Sequence, residues 1–557
     1  MNNSLTRLSF ILLTFLFISP FAKAQEGESG NSPGVVSGNV SVIAQQYSDD
    51  PDIGAEAPPQ KMAMNAFSNI LFRKGNFNAG IRIESYHPSL LGYPEGFNGT
   101  GIGYFFGEFS TKKLTITAGT FYEQFGSGMI LRTYEENTLG LDNSIIGVRV
   151  KYNAGKGIYL KGVYGTQRYK FDYKIIPGAG IVRGFDGEWQ INEAFSSMAD
   201  SKLRYVVGGS FVSKYQQDKN PLLFVPENVG SGAGRFSLYG SNFSFSTEYV
   251  YKINDPSADN GYIYKPGQGL LFNLNFFKKG FGLALAAKST DNMSYRSDRN
   301  ESLNYLLINY NPALTNTHTY LLVATLYPYA TNINGEVAFQ GDLSYKFKKK
   351  TALGGKYGTQ ILANFAIALA PERTNLNDME GARLGYESKL FSISDSLFYS
   401  DFNIAIYKKF NKKFKAKLTY FNLAFNADAN IITETHGMVY SNTFVLEGTI
   451  KIKSKHSLRF ELQGLFTEQD RGDWAAVVLE YSISPHWFFA LIDQYNYGNE
   501  DEKARIHYLY GTVGYIHDAT RISLAYGRQR EGIFCVGGVC RAVPASNGFN
   551  LTITSSF

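Results

Sequence analysis

The sequence has little charge, little cysteine and little tryptophan for a chain of 557 residues. Charged residues make up 18% of it, whereas soluble globular domains carry roughly 25%, so a set of water-soluble domains is disfavoured. Two cysteines rule out a small disulfide-rich scaffold. The formal net charge of +6 is too small for this length to indicate electrostatic binding of nucleic acid, and no nucleic-acid partner is expected.

Long apolar runs are absent after the first 24 residues. That opening segment contains Arg7, an apolar run over 8–18 and the small-residue site Ala22-Lys23-Ala24, which is the pattern of a secretory signal peptide. No later run reaches the roughly 20 apolar residues that a helix needs to cross a bilayer. We therefore expect export by the Sec route. The predicted boundaries are 1–24 for the signal peptide, 25–34 for a short periplasmic segment and 35–557 for a single domain.

Aromatic residues and glycine are abundant, with 38 Tyr, 43 Phe and 56 Gly, a composition typical of strands and turns. Within 336–347, Phe339 and Leu343 fall on one face, and Gln340 and Asp342 fall on the other. A period of two residues excludes a helix, whose period is 3.6. The same alternation recurs in 146–152, 243–252 and 457–463.

Two all-β folds produce such alternation. A soluble sandwich turns its apolar faces inward, whereas a transmembrane antiparallel β-barrel turns them toward lipid. The many aromatic-rich faces, the charges opposite them and the signal peptide favour the barrel. At roughly ten residues per strand the chain yields about 26 strands, in a range of about 22 to 26, and two of them start near residues 303 and 318. We predict a barrel in the Gram-negative outer membrane, with long extracellular loops and short periplasmic turns.

Charged residues opposite the aromatic faces are predicted to line a wet lumen. Both signs of charge are present, whereas an ion-selective channel commonly carries a ring of one sign. We therefore expect charge pairs within the lumen and weak ion selectivity. The predicted lumen-facing charges are Arg149, Glu336, Asp342, Lys346, Arg459 and Glu461.

The connection within 119–149 is unusual because it carries the apolar triplet Met-Ile-Leu. Such a triplet is costly to expose on a solvated loop. One interpretation is that the loop folds into the barrel mouth and constricts it. The other is that it contacts a protein partner or lipopolysaccharide. The residues of the predicted constriction loop are Gly126, Gly128, Met129, Arg132, Glu135, Glu136 and Asp142.

Cys535 and Cys540 flank the sequence VGGV in a predicted surface loop. The two glycines permit a tight turn and export is an oxidising route, so we predict a disulfide. A metal or redox site is the alternative, but a metal would need further thiol or imidazole ligands. Motifs for nucleophilic, zinc-hydrolase or phosphate chemistry do not occur in the sequence. We therefore expect no enzymatic activity, no metal and no cofactor.

Three stretches, 119–149, 309–343 and 535–549, resemble a family of Bacteroidota outer-membrane proteins that carries only a domain-of-unknown-function label. The resemblance covers nearly the whole chain after the signal peptide. It implies an outer-membrane β-barrel without an assigned activity, cofactor or transferable catalytic residue. The predicted final strand, which ends in Phe557, resembles the C-terminal signal that barrel-assembly machinery reads in outer-membrane proteins.

The sequence leaves two functions open. The first is a porin-like passive channel whose lumen is constricted by inward-folded loops. The second is a structural or accessory barrel of a larger outer-membrane complex for secretion, gliding or surface assembly, without transport of its own. The expected partners are outer-membrane lipid, lipopolysaccharide and, during biogenesis, the barrel-assembly machinery. The residues indicate neither a cargo nor a particular protein partner.

Overall fold

The fold was analysed in a computed structural model. It describes residues 34–376, 383–429, 437–536 and 539–557. The predicted signal peptide lies outside these ranges. In the described ranges, 24 strands form one sheet in which each strand pairs antiparallel with the next along the chain. The first and last of these strands also pair antiparallel, so the sheet closes into a barrel.

The first half of the barrel is formed by twelve strands. They are β1 Val35–Ser48, β2 Met62–Lys74, β3 Phe77–Tyr86, β4 Phe97–Ser110, β5 Leu114–Phe121, β6 Ile145–Gly155, β7 Ile158–Asp172, β8 Ile175–Gln190, β9 Arg204–Tyr215, β10 Asn228–Tyr239, β11 Phe243–Lys252 and β12 Gly267–Lys278.

The second half is formed by twelve further strands. They are β13 Phe281–Asp291, β14 Gly335–Lys346, β15 Thr359–Pro371, β16 Ile393–Lys409, β17 Phe414–Asn426, β18 Met438–Lys453, β19 His456–Phe466, β20 Trp474–Ile483, β21 Trp487–Tyr495, β22 Tyr510–His517, β23 Thr520–Gln529 and β24 Ser546–Ser556.

Helices are few and short. α1 covers Ile191–Ala194 and α2 covers Leu321–Leu326. Among the described residues, no helix has the length and apolar character needed to cross a membrane. Single 3₁₀ turns occur at Pro51–Ile53, Ser196–Met198, Ala258–Asn260 and Glu502–Ala504.

Neighbouring residues of a strand show which face of the sheet meets lipid. In β9, Phe211 is 55% exposed, whereas Val212 is completely buried. Large apolar side chains are thus exposed on the outside, where the alternation placed them. In hydrocarbon every backbone polar group needs an internal partner, and a closed antiparallel sheet with an apolar exterior provides one. The predicted fold class, an all-β transmembrane barrel, is confirmed.

The barrel has 24 strands, within the predicted range but fewer than the roughly 26 expected. The strands predicted near residues 303 and 318 are not formed, because 292–334 is one long connection between β13 and β14. Its apolar side chains, among them Leu322 and Val323, pack inside the barrel. A short apolar run suits a lipid-facing strand and a segment buried in the lumen equally well, which explains the error.

Long and short connections alternate around most of the barrel. The exceptions are the two-residue turn between β7 and β8 and the connections of twelve or more residues between β8 and β9 and between β14 and β15. The chain turns tightly between β2 and β3 and between β18 and β19, whereas thirteen or more residues join β1 to β2 and β5 to β6. We call the two ends of the barrel the short-turn end and the long-loop end. In outer-membrane barrels the long loops are extracellular and the short turns periplasmic.

At the long-loop end, β4 and β7 make direct contact above two shorter strands. Phe97 pairs in parallel with Phe171, and Asn98 with Asp172. The Phe171 N–H donates to the Gly96 carbonyl at 2.9 Å. Because β5 ends at Phe121 and β6 begins at Ile145, this contact spans the top of both strands. The connection between β5 and β6 therefore leaves the wall below the β4–β7 bridge.

Part of the outer wall is covered by protein rather than lipid. Phe391, which follows the short hairpin strand Tyr386–Glu387, packs against Phe272 and Phe339, with ring centroids 6.1 Å apart in both cases. The Phe391 N–H also donates to Ser289 Oγ at 3.0 Å. Val337, expected on the lipid face, is completely buried. The outward side of β12–β14 near the long-loop end therefore lies under this segment.

Candidate functional site in the barrel lumen

Residues 122–144, the connection between β5 and β6, enter the barrel. We call them the first inward loop. Their fold includes the hairpin of Gln124–Phe125 and Leu131–Arg132. The tip residues Met129, Ile130 and Leu131 are completely buried, as expected for an apolar triplet that avoids water. They belong to one apolar cluster with the inward-facing wall residues Val163, Val182, Val212, Val250 and Leu271.

The tip of the first inward loop is fitted to the wall at Glu248. Gly126 has a φ of +52°, and a Cβ atom there would lie 2.5 Å from the Glu248 carboxylate. The Ser127 N–H donates to Glu248 Oε2 at 2.7 Å. Glycine is therefore favoured at position 126 both by the left-handed backbone conformation and by the nearby Glu248 carboxylate. Gly128, at φ +96°, has the Arg132 side chain beside it.

The other end of this loop is held by a buried charge cluster. Arg168 of β7 donates to Glu84 of β3 at 2.7 Å and to Asp142 of the loop at 2.9 Å. Arg82 of β3 contacts Glu84, Asp142 and Glu135 of the loop. Burial alone would raise the pKa of Asp142, but the charges of Arg168 and Arg82 hold it below its usual value. Two arginines of the wall thus bind two carboxylates of the loop.

Residues 292–334, the connection between β13 and β14, also lie in the lumen. We call them the second inward loop. Near its start, Tyr295 Oη donates to the Val229 carbonyl at 2.6 Å. Arg296 pairs with Asp259 at 2.5 Å, and both side chains are almost completely buried. This part of the loop is therefore fixed by polar contacts at a buried site, where unpaired polar groups are costly.

The second inward loop then runs across the strands on the inner wall. Asn316 donates to Asp342 of β14 at 2.9 Å. His318 lies 2.6 Å from Asp401 of β16, inside the barrel rather than at a periplasmic turn. Further along, the Leu322 N–H donates to the Gln463 side chain of β19 at 3.0 Å. The loop therefore attaches in succession to three strands of the second half of the barrel, β14, β16 and β19.

The two inward loops bond to each other in the lumen. The Arg132 N–H donates to the Ile308 carbonyl at 2.8 Å, and the Tyr310 N–H donates to the Gly128 carbonyl at 3.0 Å. The Arg132 guanidinium lies 4.0 Å from the centre of the Tyr310 ring, a cation–π contact. We call the two loops together the plug. Through these contacts the plug connects opposite walls of the barrel.

The predicted constriction-loop residues have different roles. Gly126, Gly128 and Met129 form the buried tip, and Arg132 joins the two loops. Glu135 and Asp142 bind the wall arginines. Glu136 stays near the surface and accepts from the Thr138 N–H at 3.3 Å within its own turn.

The predicted lumen charges are paired in most cases. Arg149 donates to Glu108 at 3.1 Å, and Glu336 pairs with Lys288 at 2.6 Å with both side chains completely buried. Arg459 pairs with Glu461 and also with Glu480, the latter at 2.8 Å. Asp342 accepts from amide side chains on three sides. Lys346, near the short-turn end, is exposed.

Two cavities with charged and amide side chains in their walls lie next to the plug on its short-turn side. One of about 1320 Å³ is lined by Ser127 of the tip and by Glu188, Arg204, Arg235 and Asn273. Another of about 560 Å³ is lined by His318, Asn364, Asn403 and Lys417. Both signs of charge and several amides face these spaces. The larger cavity therefore suits water and polar solutes, whereas the smaller one also has apolar walls, among them Leu362 and Phe421.

The predicted disulfide falls on side chains outside the described ones. The backbone of the hairpin Gly532–Val536 and Val539–Val543 places Cys535 opposite Cys540. The disulfide therefore stays a prediction. Among the side chains that the structure describes, no group of three His, Cys, Asp or Glu is placed to hold a metal ion.

Several key residues were not identified from the sequence. Arg168 carries the charge cluster, and Lys214 pairs with Asp255 at 2.8 Å with both side chains buried. The alternation along each strand indicates that such charges face the lumen, but it does not show which loop contacts them. The region around Pro312 carried the available signal for the second inward loop, because proline is disfavoured in the central strands of a sheet.

A closed antiparallel sheet with an apolar exterior and a polar, loop-filled interior defines an integral β-barrel of the outer-membrane type. The chain belongs to the Family of unknown function (DUF6029), whose sequence profile matches residues 3–557. The expected membership of an uncharacterised family is therefore confirmed, whereas the bacterial phylum stays a prediction. A search of curated proteins found no match.

Solved structures with a similar chain trace are themselves β-barrel proteins. The siderophore receptor PirA from Pseudomonas aeruginosa is 11% identical, with 95% of this chain and 82% of that chain covered and a TM-score of 0.39. The P pilus usher PapC translocation pore is 8% identical, covering 94% and 99%, with a TM-score of 0.42. OccAB4 from Acinetobacter baumannii is 11% identical, covering 70% and 92%, with a TM-score of 0.35. Likeness at this level carries no argument about function.

Proposed function

We propose that the protein is an outer-membrane channel for small polar solutes and that its plug restricts passage. The observation that carries this proposal is that hydrogen bonds join the two inward loops. The joined loops lie across the lumen and obstruct it. The apolar exterior supports residence in the outer membrane, in contact with lipid and lipopolysaccharide. Assembly by the barrel machinery and the absence of catalysis belong to the same proposal.

The construction of the plug supports a channel that is restricted rather than permanently filled. Both inward loops are continuous with barrel strands and are held by hydrogen bonds and ion pairs that can break without unfolding the wall. Side chains of both charges line the cavities next to the plug. A polar solute that passes the plug therefore finds charged and amide side chains with which it can form hydrogen bonds. Because both signs of charge are present, we expect cations and anions to pass.

Single-channel recording in planar bilayers tests the proposal. Deleting residues 126–138 removes the buried tip and leaves the wall strands intact. The conductance should increase severalfold, because the deleted residues obstruct the lumen. The matched control deletes 218–224 from the surface loop between β9 and β10, which should not change conductance. Equal conductance of the 126–138 deletion and the intact protein would falsify the proposed role of the plug.

An accessory barrel without transport is the second candidate. The observation that favours it is the complete burial of Met129, Ile130 and Leu131, since a buried apolar cluster across the lumen resembles a protein interior. Liposome swelling with sugars of graded size separates the two functions. Swelling with small sugars supports the channel. Absence of swelling, together with a partner protein that copurifies with the barrel from gently solubilised membranes, supports the accessory barrel.

A further inference from the structure

A pocket opens at the long-loop end where the two inward loops meet. Its volume is about 380 Å³. The first inward loop contributes Leu141, and the second contributes Leu303, Tyr305 and Leu306. The wall adds Phe97 of β4 and Tyr169 of β7. The size lies in the range of small-molecule sites, and most of the lining is apolar or aromatic.

Two leucines of this pocket have an unusual backbone. Leu303 and Leu306 have φ values of +54° and +53°, a left-handed conformation that is unfavourable for a residue with a Cβ. Leu303 is also 55% exposed. Strained backbone persists where its surroundings fix it, and it is concentrated at ligand clamps and switch regions. The strain and the exposed apolar side chain are located at the same wall of the pocket.

The charged side chains at the floor of the pocket are already paired with each other, and the Arg168 Nε is buried without a hydrogen-bond partner. Arg168 is bound by Asp142 and Glu84, and the Asp142 carboxylate also contacts Arg82. Asn143 donates to the Leu307 carbonyl at 2.9 Å. An ionic ligand would therefore have to displace a buried ion pair, which is costly. A neutral ligand with a planar apolar face needs no such displacement.

We propose that this pocket is an extracellular binding site for a small, neutral, largely aromatic molecule. Tyr169 and Tyr305, whose rings meet edge to face with centroids 5.9 Å apart, supply a surface on which a planar ring can pack. The pocket requires both inward loops in their observed places. Occupancy therefore stabilises the plug, because a ligand favours the state that it binds. This coupling, unlike the binding itself, rests on the proposed channel function.

Fluorine NMR with 5-fluoroindole tests the site on the full barrel in lipid nanodiscs. We expect a saturable shift beyond that seen with empty nanodiscs. Leu303→Asp should abolish saturation, since it places a charge on the pocket wall. The matched control Leu222→Asp alters a leucine that is 89% exposed in another surface loop, and it should bind like the unaltered protein. The anionic analogue 5-fluoroindole-2-carboxylate should bind at least about tenfold more weakly.

Tyr305→Ser provides a second variant if Leu303→Asp does not fold, as judged by the gel shift between boiled and unboiled samples. The proposed site is overturned if folded Leu303→Asp or Tyr305→Ser binds 5-fluoroindole as tightly as the unaltered protein does. It is also overturned if the unaltered protein shows no saturable binding. Conductance is recorded separately, with 5-fluoroindole expected to lower it. If saturable binding occurs but no conductance is found, the channel function fails and the binding site stands.

Discussion

Asp142 of the first inward loop accepts a hydrogen bond from Arg168 of the wall at 2.9 Å, and both side chains are almost completely buried. Arg168 in turn binds Glu84, which also contacts Arg82. The loop is thus attached by charge near the cell surface and by apolar packing at its tip. These two attachments can be altered independently by substitution.

Asp142→Asn should loosen the first inward loop without unfolding the barrel. The substitution leaves two buried guanidinium groups with one carboxylate fewer, and loss of one partner of a buried ion pair costs about 3–5 kcal/mol. We expect amide hydrogen exchange of 122–144 to accelerate by about 100-fold or more. Mass spectrometry of peptic peptides measures this. Glu136→Gln, which alters a carboxylate within a surface turn, is the control and should leave exchange unchanged.

Acid should release the same loop. The pKa of Asp142 is lower in the folded protein than in the unfolded chain, because Arg168 and Arg82 outweigh the effect of burial. Its stabilising contribution is therefore complete above the unfolded pKa of about 3.9 and is lost as the pH falls through the folded value. The protection factors of 122–144, which are corrected for the pH dependence of intrinsic amide exchange, should fall below about pH 4. Asp142→Asn should abolish the part of this acid dependence that Asp142 contributes; an identical profile would contradict the assignment.

Substituting one partner of the Lys288–Glu336 pair should lower the free energy of unfolding more than substituting both partners. Both side chains are completely buried, with Lys288 Nζ 2.6 Å from Glu336 Oε1. Lys288→Met leaves the carboxylate uncompensated and should lower the free energy of unfolding by about 3–5 kcal/mol. Adding Glu336→Gln removes that charge and should restore part of the loss. Urea unfolding of Lys288→Met, Glu336→Gln and the double variant from lipid vesicles measures the coupling, which additive losses would disprove.

Cys535 and Cys540 should be joined by a disulfide in protein isolated from the outer membrane. The backbone places the two residues opposite each other in a hairpin, and cross-strand Cβ atoms in such a position lie within bridging range. Peptide mapping without reductant should give a fragment lighter by two hydrogen atoms than its reduced form. Alkylation of both thiols before any reduction would show that the bond is absent.

The wall of the barrel was predictable because lipid imposes a period of two on each strand. Phe211 and Val212 illustrate this, since the exposed residue faces hydrocarbon and its neighbour faces the lumen. Inward charges such as Glu336 follow from the same parity. Their partners do not, because the register places Lys288 of the neighbouring strand opposite Ala338, and its side chain reaches Glu336 diagonally.

The content of the lumen was predictable in one loop and not in the other. Met129 and its apolar neighbours are flanked by glycines and charges, so their burial could be inferred from the cost of exposing them. Leu322 and Val323 belong to a region rich in apolar residues and were assigned to a strand. Their actual surroundings include Gln463 of β19, which is more than a hundred residues away in sequence. Such long-range contacts leave no local pattern.

The bridge between β4 and β7 restricts how passage through the lumen can be opened. Phe97 and Phe171 pair above the point where the first inward loop leaves the wall. That loop consequently cannot swing outward like a hinged lid while the bridge is intact. Opening has to be a sideways or downward rearrangement of the loop inside the barrel. Proteases or antibodies added to whole cells should therefore not reach the Met129 tip, whether the plug is closed or open.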